Sequence, residues 1–235
     1  MTAGDPVVAF LPMTAPGASA EFVLAPAEAL AHAPASVPPA EAAGLPLVAL
    51  TAWQALFDHA GLTSGQRVLI NGASGAVGGY AVQLAAAAGA HVVAVAGPGS
   101  DDRMRERGAA EVLNHATTDV LTAVTEPVDV LLNLAPIDPA RFTALVGLVR
   151  DGGIVVSTTV WMPAPSDDAR GVRAVDLFVR SDAGQLAHLV DLVDRGELVI
   201  DITERVPLAE LTSVHERATA GTLKGGKIVV IVAAG

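Results

Sequence analysis

The sequence predicts an α/β protein built on a doubly wound parallel sheet, and three observations predict it. Short apolar runs such as Val68-Leu69-Ile70, residues 91–95 and residues 128–132 alternate with stretches of helical composition. That alternation is the pattern of a parallel sheet covered on both faces. A glycine-rich turn, Gly72-Ala73-Ser74-Gly75-Ala76-Val77-Gly78, follows the first of these runs directly and opens an alanine-rich helix. Finally, no residue between Arg67 and Asp101 carries a formal charge, as a buried strand–turn–helix–strand unit requires.

Taken in order, residues 7–11 and 20–24 read as short strands with a turn at Gly17-Ala18-Ser19 between them. Ser36 with Pro38 and Pro39 marks a helix start, and the helical pattern resumes after Pro46 to about Ala60. Strand 68–70 leads through the glycine turn into a helix over about 75–88, and strand 91–95 follows. Residues 101–107 are helical and end at Gly108; strands follow at 111–113 and 128–132. A helix fits 139–150, closed by Asp151-Gly152-Gly153, and Ile154-Val155-Val156-Ser157 is the next strand. A strand at 176–179, a helix at 183–195, a strand at 199–202, a helix at 208–218 and a strand at 227–232 complete the chain.

Composition narrows the function classes. Hydrophobic residues make up 51% of the 235 residues, enough for a sizeable core, and only 3% are aromatic, so that core is Ala, Val and Leu. The formal net charge of −11 repels phosphate backbones and argues against a nucleic-acid partner. The absence of cysteine excludes disulfides, thiolate nucleophiles and sulfur-ligated zinc. The start of the chain lacks the basic region of a signal peptide. The charge-free stretch is broken by Asn71, Gly72, Gly75, Gly78, Gly79 and Gln83 and ends near Gly97-Pro98, which argues against a membrane span. The expectation is a soluble, cytoplasmic protein.

The chemistry sits in the glycine turn. Between a strand and a helix, Gly72 permits the tight turn, Gly75 lets backbone amides approach a pyrophosphate, and Gly78 lets the helix pack on the strand. The phosphates then lie at the helix N-terminus, where unpaired N–H groups and the dipole favour anions. This is the dinucleotide fingerprint of the Rossmann fold. Val95-Ala96-Gly97-Pro98-Gly99-Ser100, at the end of the second strand, holds no acid for the ribose hydroxyls. NADP(H) is therefore expected over NAD(H), with Ser100 donating to the 2′-phosphate and Arg103 supplying charge; pairing of Arg103 with Asp101 or Asp102 is the alternative. Asn133 and Leu134 end the strand at 128–132, and Thr158 and Thr159 end the next. Ligands sit outside the carboxyl ends of parallel strands, so these positions face cofactor or substrate. Trp161, Phe178 and Val179 are candidates for lining the cleft, with core packing the alternative.

These residues carry a resemblance. Ala42-Ala43-Gly44-Leu45-Pro46 followed by Leu50-Thr51-Ala52-Trp53 resembles the signature before the nucleotide domain of medium-chain dehydrogenases/reductases. Asn71 to Gly78 with Ala81-Val82-Gln83-Leu84-Ala85 is similar to the quinone oxidoreductase, or zeta-crystallin-like, branch. Arg107-Gly108-Ala109 with Glu111-Val112-Leu113-Asn114, and the closing Gly226-Lys227-Ile228-Val229, resemble further segments of that branch. The resemblance implies a Rossmann domain over residues 49–197 and a β-rich remnant of a GroES-like catalytic domain from residues 1–48 and 198–235. The Gly4-Asp5-Pro6-Val7-Val8 segment matches a position well inside that domain, so its preceding portion is expected to be missing. Thr51 is placed behind the nicotinamide, with a helix-interior threonine as the alternative, and His115 falls near the adenosine ribose, with a surface histidine the more ordinary reading. A homodimer through the edge strand near residues 176–179 is expected.

None of the six histidines pairs with another at helical ligand spacing, and Gly72-Ala73-Ser74-Gly75 is not a hydrolase nucleophile elbow. No general acid stands out. Hydride transfer asks mainly for positioning. The resulting expectation is a zinc-independent, NADPH-dependent oxidoreductase acting on a quinone or an α,β-unsaturated carbonyl. The alternative is a shortened, non-redox member acting as a lyase, a cyclase or a nucleotide-binding protein.

Overall fold

A computed structural model describes residues 1–159, 161–223 and 225–232. The chain divides into two compact units, one of residues 1–50 with 180–235, the other of residues 51–179.

The first unit begins with β1 (Val7–Ala9), which pairs antiparallel with β2 (Leu30–His32). The strand expected at 20–24 does not form. Phe22 and Leu24 are almost fully exposed, and without a ladder partner an apolar run has nothing to bury against; β1 pairs with the segment after Pro26 instead. Helices α1 (Pro39–Ala42) and α2 (Pro46–Trp53) follow, each opening on a proline, where the missing N–H costs nothing. α2 crosses into the second unit and continues over Gln54–His59 as a wider turn, with Ala60 N–H bonded to Ala55 O at 3.1 Å. The Trp53 and Phe57 rings meet there at 4.5 Å.

The second unit is a six-stranded sheet. In chain order it contains β3 (Arg67–Asn71), α3 (Ala76–Ala87), β4 (His91–Ala96), α4 (Asp101–Glu106), β5 (Glu111–Asn114), α5 (Val120–Ala123), β6 (Val128–Asn133), α6 (Pro139–Val146), β7 (Val149–Ser157) and β8 (Arg173–Asp176). The strand order is β5-β4-β3-β6-β7-β8 with every pairing parallel. The order reverses between β3 and β6, the point at which an open α/β sheet offers a crevice at its carboxyl edge. The core is aliphatic, as the low aromatic content requires: Leu69, Val93, Leu131, Leu145 and Val155 pack around Phe142.

Two boundaries differ from expectation. α6 ends at Val146 rather than 150, and β7 begins at Val149, running through Gly152 and Gly153. A Cβ on Gly153 would lie 2.4 Å from Val149 Cγ1 and 2.8 Å from Asp129 O, so the glycine lets β7 pass a register shift against β6 near Val128. The last strand of the sheet is Arg173–Asp176, not 176–179, because Leu177 N–H to Ser157 O is the final ladder-like bond and the chain then leaves the edge.

The first unit closes with α7 (Ala183–Asp194), β9 (Ile202–Pro207), α8 (Leu211–Thr219) and β10 (Lys227–Ile231). β9 and β10 pair in parallel as a separate two-stranded sheet. The sequence divides the chain after residues 48 and 197, whereas the structure divides it after residues 50 and 179. α7 accounts for the second difference: it packs against β2, and Ser36 N–H bonds to Asp194 Oδ1 at 2.9 Å.

Candidate dinucleotide site

The turn from β3 to α3 is shaped by its glycines. Gly72 has φ 86°, in the left-handed region that side chains avoid, and a Cβ there would sit 3.0 Å from that of Ala135. A Cβ on Gly78 would lie 2.4 Å from both Gly72 O and Ala73 O, so only glycine lets α3 approach the turn this closely. Gly75 is the N-cap of α3, with no side-chain cap bond; its missing Cβ would meet only Gly72 O, at 3.2 Å. The first-turn N–H groups, from Ala76 and Val77 onward, thus have no capping side chain and are left for an anion. The N–H groups of Gly72 and Ala73 both bond to Val95 O, which ties the turn to β4.

On the β4 side of the turn, polar groups converge on Gly97. Its N–H donates to Ser74 Oγ at 3.2 Å, and Arg103 Nη2 donates to Ser74 O at 2.8 Å. A Cβ on Gly97 would lie 3.6 Å from His115 Nε2 and 3.8 Å from Ser74 Oγ. His115 is exposed on the surface, as its ordinary reading had it, and it is also beside the turn. Ser100 is the N-cap of α4 and makes no side-chain cap bond. The Asp102 carboxylate lies near Arg105, at 3.9 Å, while Arg103 reaches the turn. The Asp101 Oδ1 atom is shut off from solvent with no hydrogen-bond partner among the described residues.

On the β6 side, the strand register lines up a polar row. Asn71 stands opposite Asn133, Asn133 opposite Ser157, and Ser157 opposite Asp176, at the carboxyl edge of β3, β6, β7 and β8. Asn71 Nδ2 donates to Asn133 Oδ1 at 2.7 Å; Asn133 Nδ2 lies 3.4 Å from Ser157 Oγ and from Thr159 Oγ1, and those two hydroxyl oxygens are 2.7 Å apart. All four residues are buried. Leu134 N–H bonds to Asn71 O at 2.9 Å, which holds the backbone after β6 against the glycine turn.

The remaining expected residues are distributed as follows. Thr51 is buried in α2. Phe178 (68% exposed) and half-buried Val179 follow the carboxyl end of β8, and Trp161 is also exposed, so neither large ring packs into the core. The Asn71–Ser157–Thr159 connection escaped the sequence reading. Its signal was a polar residue closing each of three apolar runs, at Asn71, Asn133 and Ser157.

Two of the shifted carboxylates, Glu111 and Asp129, lie elsewhere, at the amino ends of β5 and β6. Burial pushes Glu111 up, but hydrogen bonds from His91 and Arg67 outweigh it and hold the carboxyl below its usual range. Asp129 is likewise lowered against its burial by Arg67 N–H and Arg150. Among the described residues, no group of three or more His, Asp or Glu side chains forms a metal cluster, and no helix is long and apolar enough to cross a membrane.

Comparison with known proteins settles the lineage. The profile of the family described as zinc-binding dehydrogenase matches residues 107–230. The chain belongs to the zinc-binding dehydrogenase family. It is thereby a medium-chain dehydrogenase/reductase, with the oxidoreductases as its broad class. It is 33% identical to the chloroplast envelope quinone oxidoreductase homolog of Arabidopsis thaliana, over 97% of this chain and 73% of that protein. To the mitochondrial NAD(P)H oxidoreductase RTN4IP1 of Homo sapiens it is 29% identical, over 97% of this chain but 65% of the relative, just under two thirds. The structure of the quinone oxidoreductase from Coxiella burnetii superposes with a TM-score of 0.81 at 27% identity, covering 89% of this chain and 66% of that one.

Proposed function

We propose that this chain binds NADP(H) and acts, without zinc, as a reductase of quinones or α,β-unsaturated carbonyl compounds. The observation that carries the reading is the glycine turn at the β3/β6 reversal, flanked by Ser74, Arg103 and His115 around Gly97. The residues fit a dinucleotide. The turn has no room for side chains at Gly72 and Gly78, the first turn of α3 is open to a pyrophosphate, and a guanidinium stands where a 2′-phosphate would need charge.

A reduced nicotinamide, when bound, supplies the hydride that a quinone or the β-carbon of an enone accepts. The chain's own residues bind and orient. α3 and the turn hold the pyrophosphate; Arg103 and Ser100 serve the adenosine phosphate; the buried Asn133–Ser157–Thr159 group keeps the crevice floor polar and rigid at the carboxyl edge. Solvent supplies the proton. No metal is called for, since hydride transfer between two positioned partners needs no Lewis acid. A homodimer formed along β8, which is an edge strand, completes the reading.

NADH is the competing nucleotide, since the half-buried Asp101 carboxylate stands beside Ser100, where an acid would serve the ribose hydroxyls. Calorimetric titration with NADPH and NADH decides between them, and absorbance of the reduced nicotinamide with a quinone panel tests turnover. Tighter NADH binding overturns the NADP assignment. Nucleotide binding without turnover on any quinone or enone favours the non-redox alternative.

A further inference from the structure

Hydrogen counting among Asn133, Ser157 and Thr159 leaves one hydrogen over. Asn71 Nδ2 donates to Asn133 Oδ1, so the Asn133 amide turns its NH2 toward the two hydroxyls. Ser157 Oγ receives Thr159 N–H at 3.3 Å and Asn133 Nδ2 at 3.4 Å. A hydroxyl oxygen has two lone pairs, and both are then engaged. The 2.7 Å contact between the hydroxyls therefore runs from Ser157 O–H to Thr159 Oγ1. Thr159 Oγ1 also takes Asn133 Nδ2 at 3.4 Å, which fills its own acceptor capacity. What remains is the Thr159 hydroxyl hydrogen, on a side chain only 3% exposed, with no acceptor among the described residues. Leaving such a donor unpaired is costly.

Thr159 lies two residues beyond the end of β7, at the same carboxyl edge as the glycine turn. A dinucleotide laid across the strand-order reversal puts its two halves on opposite sides of the turn. Gly97 and Ser100, after β4, stand on the adenosine side; β6 and β7 stand on the other. The polar handle of the nicotinamide half is its carboxamide, and a group that can only donate pairs with the carboxamide oxygen rather than its NH2.

We infer that Thr159, held as an obligate donor by Asn133 and Ser157, binds the carboxamide oxygen of the nicotinamide and fixes the rotation of the ring. This rests on the dinucleotide reading of the turn, and the two can fail separately. The test is calorimetry on the full chain with NADPH, its thionicotinamide analogue (whose sulfur accepts weakly) and 2′-phospho-ADP-ribose, which lacks the ring. Thr159→Val should weaken NADPH about three- to tenfold and leave 2′-phospho-ADP-ribose unchanged. Thr159→Ser, which keeps the donor, should restore NADPH binding. The wild-type preference for NADPH over the thio analogue should vanish in Thr159→Val. Unchanged NADPH affinity in Thr159→Val, equal losses for NADPH and 2′-phospho-ADP-ribose, or no rescue by serine would overturn the assignment. So would a rise in quinone KM with NADPH affinity kept, which would move the donor to the substrate. Failure of the wild-type chain to bind any of the three would instead overturn the dinucleotide reading beneath it.

Discussion

Arg103 Nη2 donates to the Ser74 carbonyl at 2.8 Å, joining the helix after the second parallel strand to the turn after the first. A guanidinium has five donors, and this bond uses one of them to hold the group beside Gly97. Arg103→Leu should therefore weaken NADPH roughly tenfold or more, since charge-assisted bonds to phosphate are lost, and weaken NADH much less. Titration by fluorescence of the reduced nicotinamide checks this, and equal losses for both nucleotides would remove Arg103 from the phosphate site.

Gly75 and Gly78 should separate under substitution. A methyl group on Gly78 falls 2.4 Å from two carbonyl oxygens, and Gly78→Ala should cost about 1–3 kcal/mol of stability, as overpacking does, together with nucleotide binding. Gly75→Ala meets a single oxygen at 3.2 Å and should fold with little loss, whereas Gly75→Val should fold and fail to bind, because its branches enter the anion position. Thermal unfolding paired with calorimetry reads both effects; a Gly78→Ala protein as stable as wild type would show that α3 can retreat from the turn.

Acid should loosen the second unit from the amino ends of its strands. Glu111 and Asp129 both have folded-state pKa values below their ordinary ones. A depressed carboxylate contributes stability that is present above its unfolded pKa and is lost as pH falls through the folded value. Urea midpoints measured from about pH 7 down to about pH 3 should fall below the ordinary carboxylate range. In Arg67→Met, which removes the guanidinium that bonds Glu111 at 2.9 Å, the plateau should be lower and the fall smaller and complete at higher pH. Superimposable pH profiles would show that the Arg67 guanidinium contributes nothing to this dependence.

A homodimer is the expected outcome at the sheet edge. β8 has β7 on one side and no strand on the other among the described residues, and a four-residue edge of this kind can pair with its own copy. Light scattering at micromolar concentration should report twice 23.7 kDa. A monomer would remove the edge-pairing proposal.

The parts of the fold that were legible in the sequence are those written locally. The glycine turn needs only seven consecutive residues, and the apolar runs from Val68 to Val156 announce strands without reference to one another. The Asn71–Asn133–Ser157 row was not legible in the same way. It exists because residues 62 and 24 positions apart fall opposite each other across strands, which only the lateral register decides. Residues 20–24 mislead for the opposite reason: a β-prone run shows no sign in its own composition that no neighbour pairs with it. Arg103 was ambiguous between Asp101, Asp102 and a phosphate because all three lie within reach of a helical arginine; the turn carbonyl of Ser74, 29 residues away, was not in view.

The division of the chain sets an order of events during synthesis. Residues 51–179 form one uninterrupted stretch, so every strand of the six-stranded sheet has been synthesised once Val179 is made. The other unit joins residues 1–50 to 180–235, and contacts such as Ser36 to Asp194 span 158 positions. Residues 1–50 therefore complete their unit only after residues 180–235 are made, whereas the six-stranded body draws on neither segment. The exposed Phe22 and Leu24 thus belong to the unit whose last residues are synthesised latest.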